Sequence, residues 1–362
     1  MNIKEFSLQN FRNYETLELK LSDGINVLVG ENAAGKTNML EALHLCGIGR
    51  SHRTHNMREL INFSSESSKI SVDYVDKYRE INNISVFLQD SGKKSIQLNG
   101  VSIKKIGELF GSLLIVMFSP EDLSVVKSSP GNRRRFMDIE LCQLSAVYYY
   151  DLKQYYKALN QRNNLLKTIK QNKNNRDMLF MWDEILVNHG IKIKRKREEF
   201  LQKVDTLSHE FYSKITGAKE KLSIKYKANV TEENFKSKLE SCMERDISIG
   251  STSFGIHKDD IFFYINGNDL KIYGSQGQQR TAAVCLKLSE VEIVKEQKET
   301  TPVLLLDDVL SELDDNRQKW LFESVKDLQT IVTCAERHKA LENVADKMFS
   351  VYNGKVKEGT EL

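Results

Sequence analysis

Only three prolines, Pro120, Pro130 and Pro302, interrupt a chain of 362 residues, so long stretches run without a helix breaker. No apolar run approaches the roughly 18 residues needed to cross a bilayer, which argues against a membrane protein. The longest runs, 113–118 and 303–306, have the length of buried strands. The opening MNIKEF lacks the apolar core of a secretion signal. Cys46, Cys142, Cys242, Cys285 and Cys334 show no CxxC spacing. An odd, dispersed set excludes a disulfide framework and a zinc site and fits reduced thiols in a cytoplasmic protein. Excess charge is scarce as well. A net charge of +3 permits nucleic-acid binding without demanding it, so any such surface must be a local patch. What remains, 40% apolar and 28% charged residues, is the composition of a globular protein with one large domain or two modest ones.

Four stretches separate along the chain. The first, 1–118, alternates as strands at 3–8, 16–21, 25–29, 70–74 and 84–88 around one helix. Asn99-Gly100, between 95–98 and 101–103, is a two-residue hairpin signal. The second, 119–218, is helical. Ser119-Pro120-Glu121-Asp122 and Ser129-Pro130 are helix starts, with a capping hydroxyl before proline. Apolar positions from Leu179 to Ile215 fall mostly three or four apart and predict one long helix. Lys192, Lys194, Arg195, Lys196 and Arg197 are expected on its opposite, solvated face. The Asn- and Lys-rich segment 170–176 reads as an exposed turn. The third stretch, 219–271, returns to strands, with Asn266-Gly267 predicting a hairpin between 261–265 and 270–273. The fourth holds a helix from 278 to about 296, a buried strand at 303–306, a second helix from Ser311 and a last strand at 330–333.

The chemistry begins at residues 30–37, GENAAGKT: Gly30, Glu31, Asn32, Ala33, Ala34, Gly35, Lys36 and Thr37. This is a phosphate-binding loop between an apolar strand and a helix. Its glycines let backbone N–H groups curl around phosphate oxygens, and the helix presents its positive end to the same anion. Lys36 is placed to reach the outer phosphates and Thr37 to ligate Mg²⁺. The chain is therefore expected to bind a nucleoside triphosphate, read as ATP. The run 303–306 leads straight into Asp307-Asp308. A buried strand ending in acid is how such proteins hold Mg²⁺ opposite the loop hydroxyl. Asp307 is assigned to the metal, and Asp308 to polarising the attacking water or else to capping the next turn.

Well over two hundred residues separate the two halves of this site. Such an insertion, with Ser275-Gln276-Gly277-Gln278-Gln279-Arg280 about thirty residues before the acids, resembles the ABC ATPase superfamily. The resemblance implies that Ser275, Gly277 and Gln278 serve the γ-phosphate held by another subunit. A hydroxyl, a glycine N–H and a helix dipole all favour an oxyanion there. Ser311 and Asp314, in SELD, match the loop that runs along the dimer interface, and Thr333 occupies a switch position near the γ-phosphate.

Further blocks make the resemblance specific. NFRNY (10–14), PEDLSVVKSSPGNRRRFMD (120–138) and LLLDDVLSELD (304–314) are similar to the RecF family, bacterial DNA replication and repair proteins of ABC/SMC type. Departures are mild. Ser128 replaces a usual Gly, while Ile256, Lys258 and Gln276 replace Pro, Arg and Arg, and Cys334 interrupts a threonine run. No glutamine follows the strand at 113–118, leaving Glu121 or Asp122 for that metal contact. The resemblance implies an α/β fold, a P-loop ABC/SMC-like ATPase head with mixed β-sheets plus an inserted helical arm domain. The head would comprise 1–118 and 250–362, the arm 119–249. Arg12 and Asn13 would approach the nucleotide. ATP with Mg²⁺ would drive a homodimer that clamps single-stranded or gapped duplex DNA, weakly hydrolysing ATP. With partners RecR and RecO it would load RecA, supporting recombination, replication restart and SOS induction.

Phosphate contacts need basic residues on one surface. Lys153, Lys157, Arg162, Lys167 and Lys170, with Lys192, Lys194, Arg195, Lys196 and Arg197, are the candidates on the arm. Arg133 to Arg135 sit at a helix start, where the dipole disfavours cations; they pair with acids or bind an anion. The rivals are the ATPase subunit of a membrane transporter, a nucleotide-gated scaffold without turnover, and a small-molecule kinase. Asp307-Asp308 and the long insertion argue against the first, and the SQGQ element against the last.

Overall fold

Alternating apolar residues at the start of the chain build a hairpin, β1 (Asn2–Phe11) with β2 (Tyr14–Lys20), each burying about every second or third side chain. A buried strand, β3 (Ile25–Val29), apolar but for Asn26, leads through the phosphate loop into α1 (Lys36–Ile48). β4 (Ser67–Val75), β5 (Ile81–Gln89), β6 (Lys94–Leu98) and β7 (Val101–Ser102) follow as a meander. Asn99 and Gly100 turn the β6–β7 hairpin with φ of 49° and 78°, the left-handed pair that a two-residue turn requires. β8 (Ile115–Phe118) is buried throughout. The computed structural model describes residues 1–171, 176–336, 341 and 343–359. Most of the turn expected at 170–176 lies outside them.

The capping box of Ser119 and Asp122 starts a helix as expected, yet α2 (Pro120–Leu123) is a single turn. The long helices begin at the second signal. Ser129 caps α3 (Pro130–Leu144), followed by α4 (Ala146–Gln171) and α5 (Leu179–Thr216). Next come β9 (Leu222–Lys227), α6 (Phe235–Ser241), α7 (Met243–Ile249) and β10 (Asp260–Ile265). The second hairpin is truncated. β11 (Asn268–Asp269) is two residues long, because Asp269 caps a helical turn, α8 (Leu270–Tyr273), where a returning strand was expected. α9 (Gln276–Lys298) and β12 (Val303–Asp307) stand as the sequence placed them. The next helix, α10 (Asp315–Val325), starts later than Ser311: residues 310–312 form a 3₁₀ turn, and Asp314 caps the helix by accepting from Arg317 N. β13 (Thr330–Cys334) is not the last strand. A hairpin of β14 (Lys347–Tyr352) and β15 (Lys355–Glu358) follows it.

Contacts divide the described chain into two units. The first comprises 1–124, 214–218 and 276–362. It holds an antiparallel sheet ordered β2-β1-β4-β5-β6-β7 and a mainly parallel sheet ordered β15-β14-β3-β13-β12-β8. α1 touches strands of both sheets. Its apolar residues join theirs in one core, with Met39, Leu40, Leu43 and Leu45 fully covered. A helix apolar on nearly every side is stable only in such a sandwich. Across the top of that core Gln329 imitates a strand partner, accepting from Ile3 N at 2.6 Å and donating to Ile3 O at 2.7 Å.

The second unit comprises 125–213 and 219–275. β10, expected on the head side of a boundary at 249, pairs here with β9 in a sheet ordered β11-β10-β9. Two buried arginines anchor this unit. Arg197 donates to Asp138, to Asp259 Oδ2 at 2.9 Å and to the Ile256 carbonyl at 2.8 Å. Arg162 donates to Asp183, to Asp246 at 2.7 Å and to Thr252 at 2.9 Å.

Candidate active site

The phosphate loop is held open by its own geometry. Gly35, at φ 117°, leaves no room for a side chain: a Cβ there would lie 2.6 Å from Asn13 Nδ2 and from Tyr14 Oη. Ala33 is also left-handed, at φ 66°, so successive N–H groups can converge on an anion. Glu31, Asn32 and Ala33 are exposed, and no acid occupies the first turn of α1. The helix end therefore keeps its full attraction for negative charge. Lys36 Nζ donates to the carbonyls of Gly30 at 2.6 Å and Glu31 at 2.8 Å. Burial pulls its pKa below the ordinary lysine value, while Asp308, Cys334 and Asp307 oppose that shift.

Behind the loop, Ala34 O accepts from Asn13 Nδ2 at 3.0 Å and from Gly354 N at 3.2 Å. The β14–β15 turn thus props the loop, a contribution that the sequence reading missed because those strands were not recognised. Arg12 is tied to α1 and to the backbone at Glu59. Its guanidinium grips Glu41 at 2.9 and 2.8 Å and the Glu59 carbonyl at 2.7 Å. Burial raises the Glu41 carboxyl, but Arg12, Ser51 and Arg53 together hold it below the usual range.

Strand order brings the two halves of the site together. β3 and β12 flank β13, so the end of β12 reaches the start of α1. Thr37 Oγ1 donates to Asp307 Oδ1 at 2.9 Å. Thr333 Oγ1 donates to the same oxygen at 2.8 Å and accepts from Asp308 N at 3.0 Å. A hydroxyl and a carboxylate side by side, both oxygen donors, are residues that would suit a hard divalent cation. Asp308 stands one residue on, at φ 49°, next to the loop. Asp122 closes the Ser119 cap and lies 3.6 Å from Lys287.

Ser275 is exposed immediately before α9, with Gly277 and Gln278 in its first turn. Arg280 pairs with Glu312, and Ser311 Oγ donates to the Asp308 carbonyl at 2.8 Å.

The basic candidates divide. Lys153, Lys157, Lys167 and Lys192 are exposed. Arg195 is exposed but paired with Glu232. Arg162 and Arg197 are fully buried among aspartates and Lys194 is buried against Glu198, so none of the three lies on a solvated face. The Lys170 side chain falls outside the described residues. Arg133 pairs with Asp260 through two bonds, at 2.7 and 2.8 Å, and Arg134 donates to the Asp259 carbonyl at 2.7 Å.

Comparison with known proteins agrees with this geometry. Residues 2–359 match the family described as the RecF/RecN/SMC N terminal domain. The DNA replication and repair protein RecF of Lachnoclostridium phytofermentans is 45% identical over 365 residues, covering 99% of this chain and 100% of that protein. RecF of Clostridium botulinum is 44% identical over 363 residues, covering 98% and 99%. A solved structure of the recombination mediator protein RecF with ATP superposes with a TM-score of 0.93 at 37% identity, over 99% of this chain and 98% of that one. The Smc head domain from Pyrococcus furiosus shares the fold alone, at a TM-score of 0.59 and 16% identity.

Proposed function

The chain belongs to the RecF/RecN/SMC N-terminal domain family, and to the RecF proteins within it, and we propose that it is an ATP-dependent DNA-binding repair protein that works as a nucleotide-closed homodimer. The observation that supports this reading is the 2.9 Å bond between Thr37 and Asp307, which brings the loop and the acidic strand together across 270 positions. ATP bound with Mg²⁺ supplies the triphosphate and its cleavable terminal bond. Gly30 to Thr37 grip the phosphates, Lys36 neutralises their charge, and Thr37 and Asp307 hold the cation. Asp308 orients and polarises water. Ser275, Gly277 and Gln278 complete the pocket of a second copy, and Ser311 and Asp314 line the seam between copies.

In this reading ATP binding pairs two chains around DNA at a single-strand gap, and slow hydrolysis, stimulated by DNA, releases them. Lys153 and Lys157, one helical turn apart on α4, and Lys192 on α5 contact phosphate groups. RecO and RecR are the partners through which the clamp promotes RecA loading, replication restart and SOS induction in the cytoplasm.

Sedimentation of the chain with and without ATP and gapped DNA tests the scheme. ATP is expected to double the mass. Lys36→Ala should abolish pairing, and Ser275→Arg should block pairing while leaving ATP bound to the monomer. Pairing that survives both substitutions would refute the reading.

A further inference from the structure

The first turn of α9 is tied to the loop after β12 by a continuous path of hydrogen bonds. Thr281, 1% exposed, donates from its hydroxyl to the Gly277 carbonyl at 2.7 Å. Its oxygen accepts from Arg317 Nε, also at 2.7 Å. The same guanidinium pairs with Asp314 through Nη1, and Arg317 N donates to Asp314 Oδ1 at 2.9 Å. Gln318, the next residue of α10, donates to the carbonyls of Leu310 at 2.8 Å and Leu313 at 3.0 Å. Ser311 then ties that loop back to the Asp308 carbonyl.

Neither helix needs the cross-link for its own stability. Thr281 already satisfies its donor within α9, and Asp314 already caps α10 through a backbone N–H. An arginine that joins the two adds orientation. Polar paths of this kind hold a single geometry when every member is partnered.

We infer that Arg317 is a positioning residue that couples the Ser275–Gly277 turn to the chain's own Asp308, so that engagement of a partner's triphosphate aligns the acid at the site in cis. The inference rests on the paired-site reading above and adds a direction to it. Within each chain the signal runs from the turn facing the partner's nucleotide, through Thr281, Arg317 and Asp314, to the chain's own hydrolytic pocket. Two copies arranged this way make the sites reciprocal.

Mixed dimers read that direction. Two differently tagged chains are paired with ATP and purified through both tags, and a single turnover is measured. One chain carries Asp308→Asn, so only the other chain's site reports. With Arg317→Gln in the reporting chain, cleavage should slow roughly tenfold relative to the pair without it. With Arg317→Gln moved into the Asp308→Asn chain, the rate should stay within about twofold. Both dimers contain the same substitutions, so a general weakening of the interface slows them equally and overturns the inference. Slowing only in the second arrangement also overturns it, since Arg317 would then merely shape the turn that it supports. Should Arg317→Gln fold poorly, Thr281→Val breaks the same path one bond earlier and is judged by the same two arrangements. Failure of the underlying reading looks different: the wild-type chain would not pair with ATP at all.

Discussion

Asp307 and Asp308 are neighbours with unlike surroundings. Asp307 is buried, with one oxygen shared between two threonine hydroxyls. Asp308 has a left-handed backbone, held by Thr333 through its amide. Aspartate and asparagine both tolerate that conformation, so Asp308→Asn changes charge without straining the turn. The variant should bind ATP and pair normally, yet lose turnover by about a hundredfold or more, leaving dimers that persist on a sizing column. Normal turnover would remove Asp308 from the chemistry. The doublet was legible because an apolar run ended abruptly in acid. The role of Thr333 in joining the Asp307 carboxylate to the Asp308 amide was not, since those bonds depend on β13 lying beside β12.

α5 shows where a run of like charge misleads. Ile193, Arg197, Phe200 and Val204 are all buried along one side of the helix, although a run of five basic residues suggests a solvated face. Arg197 sits four residues from Ile193 and three from Phe200, the spacing of a core position. Its burial is possible only because Asp138 and Asp259, distant in sequence, converge on it. No local pattern reveals that convergence. Arg197→Leu removes the cation and strands two carboxylates, so it should cost about 3–5 kcal/mol, read as a lowered midpoint in urea. An unchanged midpoint would mean that the aspartates find other partners. Signals whose partners are adjacent in sequence were the legible ones: the phosphate loop, the Asn99-Gly100 turn and the Ser129 cap. The β14–β15 hairpin was missed because its strands are short and half-exposed, with little alternation to mark them.

At the scale of the whole chain, stability in mild acid should fall as His257 is forced to take up a proton. His257 lies 2.8 Å from Tyr155 Oη and 3.1 Å from the Thr252 carbonyl, and burial pushes its pKa down to about 4. The unfolded chain protonates this group near 6.5, while the folded chain refuses the proton until far lower pH. The stabilisation is therefore complete above about pH 6.5 and disappears as pH falls towards 4, a loss of up to roughly 3 kcal/mol. Melting curves at pH 7.5 and 4.5 should show it, and His257→Gln should flatten the difference. The order of strands has its own consequence. β3 carries the phosphate loop, but both of its neighbours, β13 and β14, come from residues 330–352. On the ribosome, the loop is made early and waits through most of synthesis on a strand with nothing to pair with. A chain cut short by a stalled or broken message before residue 307 thus has the loop sequence but neither the neighbouring strands nor the acid that meets Thr37.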